Sequence, residues 1–377
     1  MNKLLLPAIL MVFAACRNPS GNNRITQTID TTIAPPADEE PHTYTLELVF
    51  TDDRYQFTGL AKEEGGGLLV SYPRWSDTYQ YGVVITYGGN GKISYPDEAT
   101  NGWQPGQPGT DKWVCVQSIY YDAAGTLWVL DPSAPKLKTI QGGGAKLVKM
   151  NKASGKPDRI YSLGGVLSDT SYANDVRVDP VGNFAYISES KGGGIIVIDL
   201  ASGRMRRVLA GHPSTLSDPA YSFLIDGQEL KKDGKVVKIN SDGIALTPDG
   251  AYLYYKPLTD DKLYRIATSI LRDFTQSEEA IEARVEDLGH FSTTDGMIFD
   301  RSGNLYLGDL QHNRIMRISA DHKMTELLQD NRLIWPDSYS IADGYLYISC
   351  SQIQKQPDFN AGVNKRTTPY AVYRMKL

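Results

Sequence analysis

Six alternating apolar runs in this chain begin with a polar or acidic side chain: Thr58, Gln117, Asn174-Asp175, Asp242, Asp295 and Asp337. Carboxylates and amides gathered at one point favour a cation, either a divalent metal ion or an amine. A metal set would draw on Asn174, Asp242 and Asp295. Trp335-Pro336-Asp337 delivers a ring face and a counter-charge together, the pair that an aromatic amine requires. A local reading stands beside this one, in which Asp-Gly simply makes a turn and its carboxylate caps backbone N–H groups. No catalytic group is assigned from the sequence. If the chemistry is proton transfer, a buried Asp with a raised pKa is the natural base.

Other arrangements are poorly supported. The five histidines, at 42, 212, 290, 312 and 322, show no metal-ligand spacing. No His-Glu-x-x-His, Gly-x-Ser-x-Gly or phosphate-cradling loop is present. Gly142-Gly-Gly144 and Gly192-Gly-Gly194 follow strands but open no helix. The formal net charge is −5 with no basic stripe, which excludes nucleic acid as a natural partner. Trp75, Trp103 and Trp335 fall in loops or at strand starts, where they could wall a ligand.

The elements that must position these residues repeat along the chain. The clearest is Ser241-Asp-Gly-Ile-Ala-Leu, a Pro248-Asp-Gly250 turn, Ala251-Tyr-Leu-Tyr-Tyr, then Leu263-Tyr-Arg-Ile266. Period-2 runs joined by such turns read as antiparallel strands. Related phrases begin at Gly59, Val116, Asn174, Asp295 and Asp337. Six of them, spaced by roughly 40 to 70 residues, predict an all-β, six-bladed β-propeller of four-stranded antiparallel blades over 44–377. Thr43 to Phe50 alternates without a phrase of its own, and the last phrase has three strands. The N-terminal strand should therefore complete the sixth blade and remove its open edge. An inserted hairpin or strand pair is expected between the third and fourth blades, and a short surface helix within 269–287.

Leu127-Trp-Val-Leu-Asp131, Asn174-Asp175 with Ala185-Tyr-Ile187, Asp242 to Gly250, Leu253 to Leu258, Leu263 to Thr268 with Leu271, and Asp295-Gly-Met297 with Gly303-Asn-Leu-Tyr306 resemble the major royal jelly/Yellow protein family. The resemblance covers about 44–377. It implies a six-bladed propeller and a secreted protein. Family members include insect proteins that bind small aromatic amines in the central cavity and others linked to dopachrome conversion. A tautomerase-like activity is thus implied by resemblance alone, since a fold supplies no reaction. The mouth residues also look like the metal site of gluconolactonase/senescence-marker propellers, which join an Asn and an Asp to a Glu from the first blade. Here that blade offers Thr58-Gly59, so the lactonase reading lacks a ligand and base. A scaffold whose loops, including 213–241, contact another protein is a third reading.

Lys3, the apolar run Leu4 to Phe13 and Ala14-Ala15-Cys16 predict a secretory signal over 1–15. Small residues before the cysteine resemble a bacterial lipobox, with Cys16 lipidated. Residues 16–43, rich in Asn, Ser, Thr, Pro and acidic groups, read as a flexible tether. The expectation is a monomeric, extracytoplasmic head held to a bacterial membrane by lipid, with a small-molecule ligand. Cys115 and Cys350 could pair or remain free buried thiols.

Overall fold

The computed structural model describes residues 43–377. The expected signal 1–15, Cys16 and the tether, apart from its last residue, lie outside the described residues. Six antiparallel four-stranded sheets follow one another as six blades. Their innermost strands are Leu60–Lys62, Ser118–Tyr121, Ala173–Asp179, Ser241–Leu246, Met297–Phe299 and Pro336–Ala342. Each lies beside the next, and the last meets the first, so the sheets close into a ring.

The strands form because their apolar residues alternate towards the two faces of a blade, and both faces are covered. Six apolar clusters result, one between each pair of adjacent blades. Middle strands therefore read as nearly continuous apolar runs, such as Ile195–Asp199.

Closure follows the expectation, with the strand at Glu47–Asp52. It pairs antiparallel with Tyr370–Lys376 as the outermost strand of the sixth blade, with Glu47 opposite Arg374 and Asp52 opposite Tyr370. Phe50 is fully buried between the sixth and first blades. The buried Asp52 carboxylate accepts from Tyr55 N–H, Tyr72 O–H and Lys92 Nζ at 2.9, 2.9 and 2.6 Å, tying the closing strand to the first blade.

Two glycines allow the innermost strands to approach closely. A Cβ at Gly243 would stand 2.5 Å from the Asp295 carbonyl oxygen, and one at Gly296 equally close to that of Asp337. Serines on second strands make similar crossings: Ser71 Oγ donates to Gln117 O at 3.1 Å and Ser188 Oγ to Asp242 O at 2.7 Å. Ser349 Oγ donates to Thr58 O.

The insertion holds two hairpins, Leu224–Ile225 with Gln228–Glu229 and Lys231–Lys232 with Lys235–Val236. Their turns, Asp226-Gly227 and Asp233-Gly234, have positive φ at both residues, as two-residue hairpin loops require. Phe223, Leu230 and Val237 pack with Leu258, Leu310 and Trp335. In place of one helix, Thr268–Arg272 and Glu278–Glu282 form two short ones, because Asp273 accepts from Thr275 N–H between them and Ser277 caps the second by accepting from Ala280 N–H. No helix among the described residues is long and apolar enough to cross a membrane.

Candidate functional site

Each innermost strand is entered at or beside a polar residue, at the end of the ring expected to form the channel mouth. In chain order these are Thr58, Gln117, Asn174, Asp242, Asp295 and Asp337. All six are buried; Gln117, Asn174 and Asp295 keep 8% exposure, and Asp242 and Asp337 keep 3%. The ring thus has a neutral half from the first three blades and an acidic half from the last three.

A directed chain of hydrogen bonds joins the halves. Trp75 Nε1 donates to the Tyr172 hydroxyl oxygen at 3.0 Å, and Tyr172 O–H donates to Gln117 Oε1 at 2.7 Å. Gln117 Nε2 then donates to Asn174 Oδ1 at 3.0 Å, and Asn174 Nδ2 to Asp242 Oδ2 at 2.6 Å. Each acceptance fixes which end of the amide points onward, so donors face the acids. The Asp242 and Asp295 carboxyls stand close enough that each shifts the titration of the other. Trp335 Nε1 approaches from the other side and donates to Asp295 Oδ2 at 2.7 Å.

Asp337 is less well provided. Ser338 Oγ donates to its Oδ1 at 3.2 Å, while its Oδ2 and the neighbouring Ser351 Oγ are buried without a formed hydrogen bond. Burial, and then the neighbouring carboxylates, push Asp242 and Asp337 well above the ordinary range. Burial raises Asp295 to about 7, held down by the Trp335 N–H and the Asp242 hydrogen bond. Buried together, the three acids disfavour one another's ionisation, and the Lys256 ammonium offsets this in part at Asp295.

Asp175 lies apart from this trio. It accepts from Ser118 Oγ at 2.6 Å and pairs with Arg177 at 3.0 Å. Arg177 in turn reaches past the fourth blade to donate to Met297 O at 2.8 Å, with its guanidinium 5.0 Å from the Tyr120 ring centre. The sequence signal for Arg177 is a charged residue inside the buried run Val176-Arg-Val178. Tyr172 and Lys256 also escaped the sequence reading. Lys256 occupies the second-strand position that is serine at 71, 188 and 349. Burial lowers it to about 8, and its Nζ donates to Pro257 O and Asp260 O at 2.6 and 2.9 Å.

The local turn reading fails for two of the acids. The Asp242 carboxylate accepts from a side chain of another blade, Asp295 accepts from Trp335, and neither following glycine has a positive φ. Trp335 itself is enclosed, with Phe223 edge-on at 5.8 Å, and it presents its N–H to the site. Trp103 is buried, and its N–H donates to Gln107 O at 2.9 Å. Cys115 and Cys350 are free and buried. Burial pushes the Cys115 thiol up to about 12 and raises Cys350 as well, so neither is a thiolate at neutral pH.

The residues do not fit a divalent ion as arranged. Asn174 Oδ1 is occupied by Gln117, the first blade supplies Thr58, and among the described residues no three His, Cys, Asp or Glu side chains are grouped to hold a metal.

The family described as Major royal jelly protein matches residues 114–377. Protein yellow of Drosophila melanogaster is 26% identical over 244 residues, covering 57% of this chain and 42% of that protein. Major royal jelly protein 1 of Apis mellifera is 26% identical over 217 residues, covering 52% of this chain and 46% of that protein. The chain thus spans less than half the length of these relatives. Among solved structures, a luciferin-regenerating enzyme superposes with a TM-score of 0.52 at 13% identity, over 89% of this chain and 95% of that one. A gluconolactonase from Xanthomonas campestris gives 0.51 at 12%, over 91% and 96%. At such identities the likeness speaks for the fold alone.

Proposed function

This chain belongs to the major royal jelly protein family, and on that premise we propose that it is an extracytoplasmic, lipid-anchored monomer that binds a small aromatic or amine ligand at its channel mouth. The observation that carries the reading is Asp337 Oδ2, buried without a formed hydrogen bond next to the Ser351 hydroxyl and the Asp242 and Asp295 carboxyls. An ammonium group supplies the missing donors and the positive charge together. It favours the ionised carboxylates, each pKa unit reversed being worth about 1.4 kcal/mol. Binding at neutral pH therefore expels protons. Gln117 and Asn174 orient the acids from the neutral side, and Trp335 holds Asp295 from behind.

A second reading, tautomerase-like isomerisation, is favoured by the Asp242–Asp295 pair itself. Asp295, ionised, takes a proton from one position of the ligand while protonated Asp242 gives one to another. The substrate isomerises with no net change in protons or electrons. Two neighbouring carboxyls held in different protonation states suit this division of roles.

Calorimetric titration with tyramine and with dopamine tests the binding reading. Wild type should bind, and Asp242→Ala and Asp337→Asn should each weaken binding by at least 10-fold. Unchanged affinity in both variants, with the fold intact by thermal melting, would remove the mouth from the account. Dopachrome conversion lost in Asp295→Asn would support the second reading; conversion no faster than the uncatalysed rate in wild type would end it.

A further inference from the structure

A cavity of about 210 Å3 opens at the mouth end of the ring but away from the axis, between the first and sixth blades. Its walls are the segment leading into the first blade and the loops joining second to third strands in both blades. Tyr55, Tyr72, Trp75, Tyr79 and Tyr370 give it an aromatic lining, and Arg54 and Arg366 stand in its wall. No Asp or Glu lines it. The nearby Asp52 carboxylate is already answered by Lys92 at 2.6 Å and by the Tyr72 hydroxyl.

Both arginines lack a carboxylate partner among the described residues. Arg54 is exposed, with its guanidinium 5.3 Å from the Tyr55 ring centre. Arg366 is held in place by neutral acceptors, donating to Asn364 Oδ1 at 2.8 Å and Gln56 Oε1 at 2.6 Å. A guanidinium fork held by amides beside a ring-lined cavity is suited to a planar anion. A cavity of about 150 Å3 admits a benzene ring, so this one has room for a single ring with a short acidic arm. Trp75 lines the cavity and its N–H is committed to the Tyr172 hydroxyl, so it offers the site an aromatic surface in place of a donor.

We propose that this cavity is a second binding site, specific for a small aromatic carboxylate, with charge preference opposite to that of the channel mouth. The aromatic walls take the ring, and Arg54 and Arg366 take the carboxylate.

The test titrates the full chain with p-hydroxyphenylacetate, following heat and Trp fluorescence, with p-cresol as the neutral analogue. Wild type should bind the acid at least 10-fold more tightly than p-cresol, and raising the salt should narrow the gap. Arg54→Gln, which removes an exposed charge without disturbing packing, should weaken the acid several-fold. Arg54→Gln with Arg366→Gln should abolish the preference over p-cresol. Asp242→Asn should leave acid binding unchanged, which separates this site from the mouth. Absence of binding by wild type, a preference that survives the double variant, or loss of acid binding in Asp242→Asn would each overturn the proposal.

Discussion

The two halves of the channel mouth are built on the same backbone plan but carry opposite electrostatic burdens. Thr58, Gln117 and Asn174 are neutral, and the two amides are satisfied by one another and by Tyr172. Asp242, Asp295 and Asp337 bring three carboxyls, and only Asp295 has an indole N–H to stabilise its charge. Donors on the neutral side point towards the acids, so one half is prepared to stabilise charge that the other cannot hold unaided. A symmetric fold is thereby given a polar axis by six side chains. Burial makes this asymmetry costly, because an unpaired carboxylate in a low-dielectric site protonates when it cannot be hydrated.

The most severe way to break the comparison is to open the ring. Deleting Glu47–Asp52 removes Phe50 from the cluster between the sixth and first blades and exposes the edge of Tyr370–Lys376. Loss of the cooperative melting transition is expected, whereas a retained full transition would show that closure is not needed. Next in size is Gly243→Ala, whose Cβ meets the Asp295 carbonyl oxygen at 2.5 Å. Overpacking against backbone should cost about 3 kcal/mol in urea unfolding. Gly250→Ala, at a turn with φ +69°, should cost about 1–2 kcal/mol.

Charge substitutions sharpen the contrast between the halves. Asn174→Asp places a fourth carboxyl against Asp242 and should destabilise the protein by about 2 kcal/mol at pH 8, with recovery below pH 5. Asp242→Asn keeps an acceptor for Asn174 and a donor for Asp295, imitating the protonated acid. It should stabilise by about 1 kcal/mol at pH 8.

Wild-type stability should carry the same signature. The folded trio has raised pKa values, so between about pH 4 and pH 7 the native state holds protons that the unfolded chain has released. The contribution of these acids is full below pH 4; that of Asp295 is lost as pH rises through about 7, and those of Asp242 and Asp337 keep falling until pH passes their own raised values, at up to about 1.4 kcal/mol per pH unit for each proton. Unfolding midpoints measured across this range should show the slope in wild type and a smaller one in Asp242→Asn.

How far the sequence revealed this site differed from residue to residue. The blades, their number and the closing strand were legible because period-2 alternation and turn chemistry are local. The entries of the innermost strands were legible too, since each opens a repeat. Asp242-Gly243 and Asp249-Gly250 show where local reading stops. Both are Asp-Gly on one hairpin, yet Gly250 serves a left-handed turn and Gly243 makes room for the next blade's backbone. Their places in the repeat already told turn from strand entry, but the close approach at Gly243 comes only with ring closure. Trp335 was flagged for its ring, but the insertion covers that ring and leaves its N–H as the contribution. Tyr172 and Lys256 gave no signal, because their partners lie on other blades or on the carbonyls of a loop. Arg177 gave a weak one, as a charge in an apolar run whose partner backbone is 120 residues away.

The central claim is that the acidic half of the mouth retains protons at neutral pH that an arriving cation displaces. Titrating tyramine into wild type at pH 7, in two buffers of different ionisation enthalpy, measures it directly. The account predicts net release of protons on binding, diminished in Asp242→Asn. Binding with no proton release, or with uptake, would contradict it.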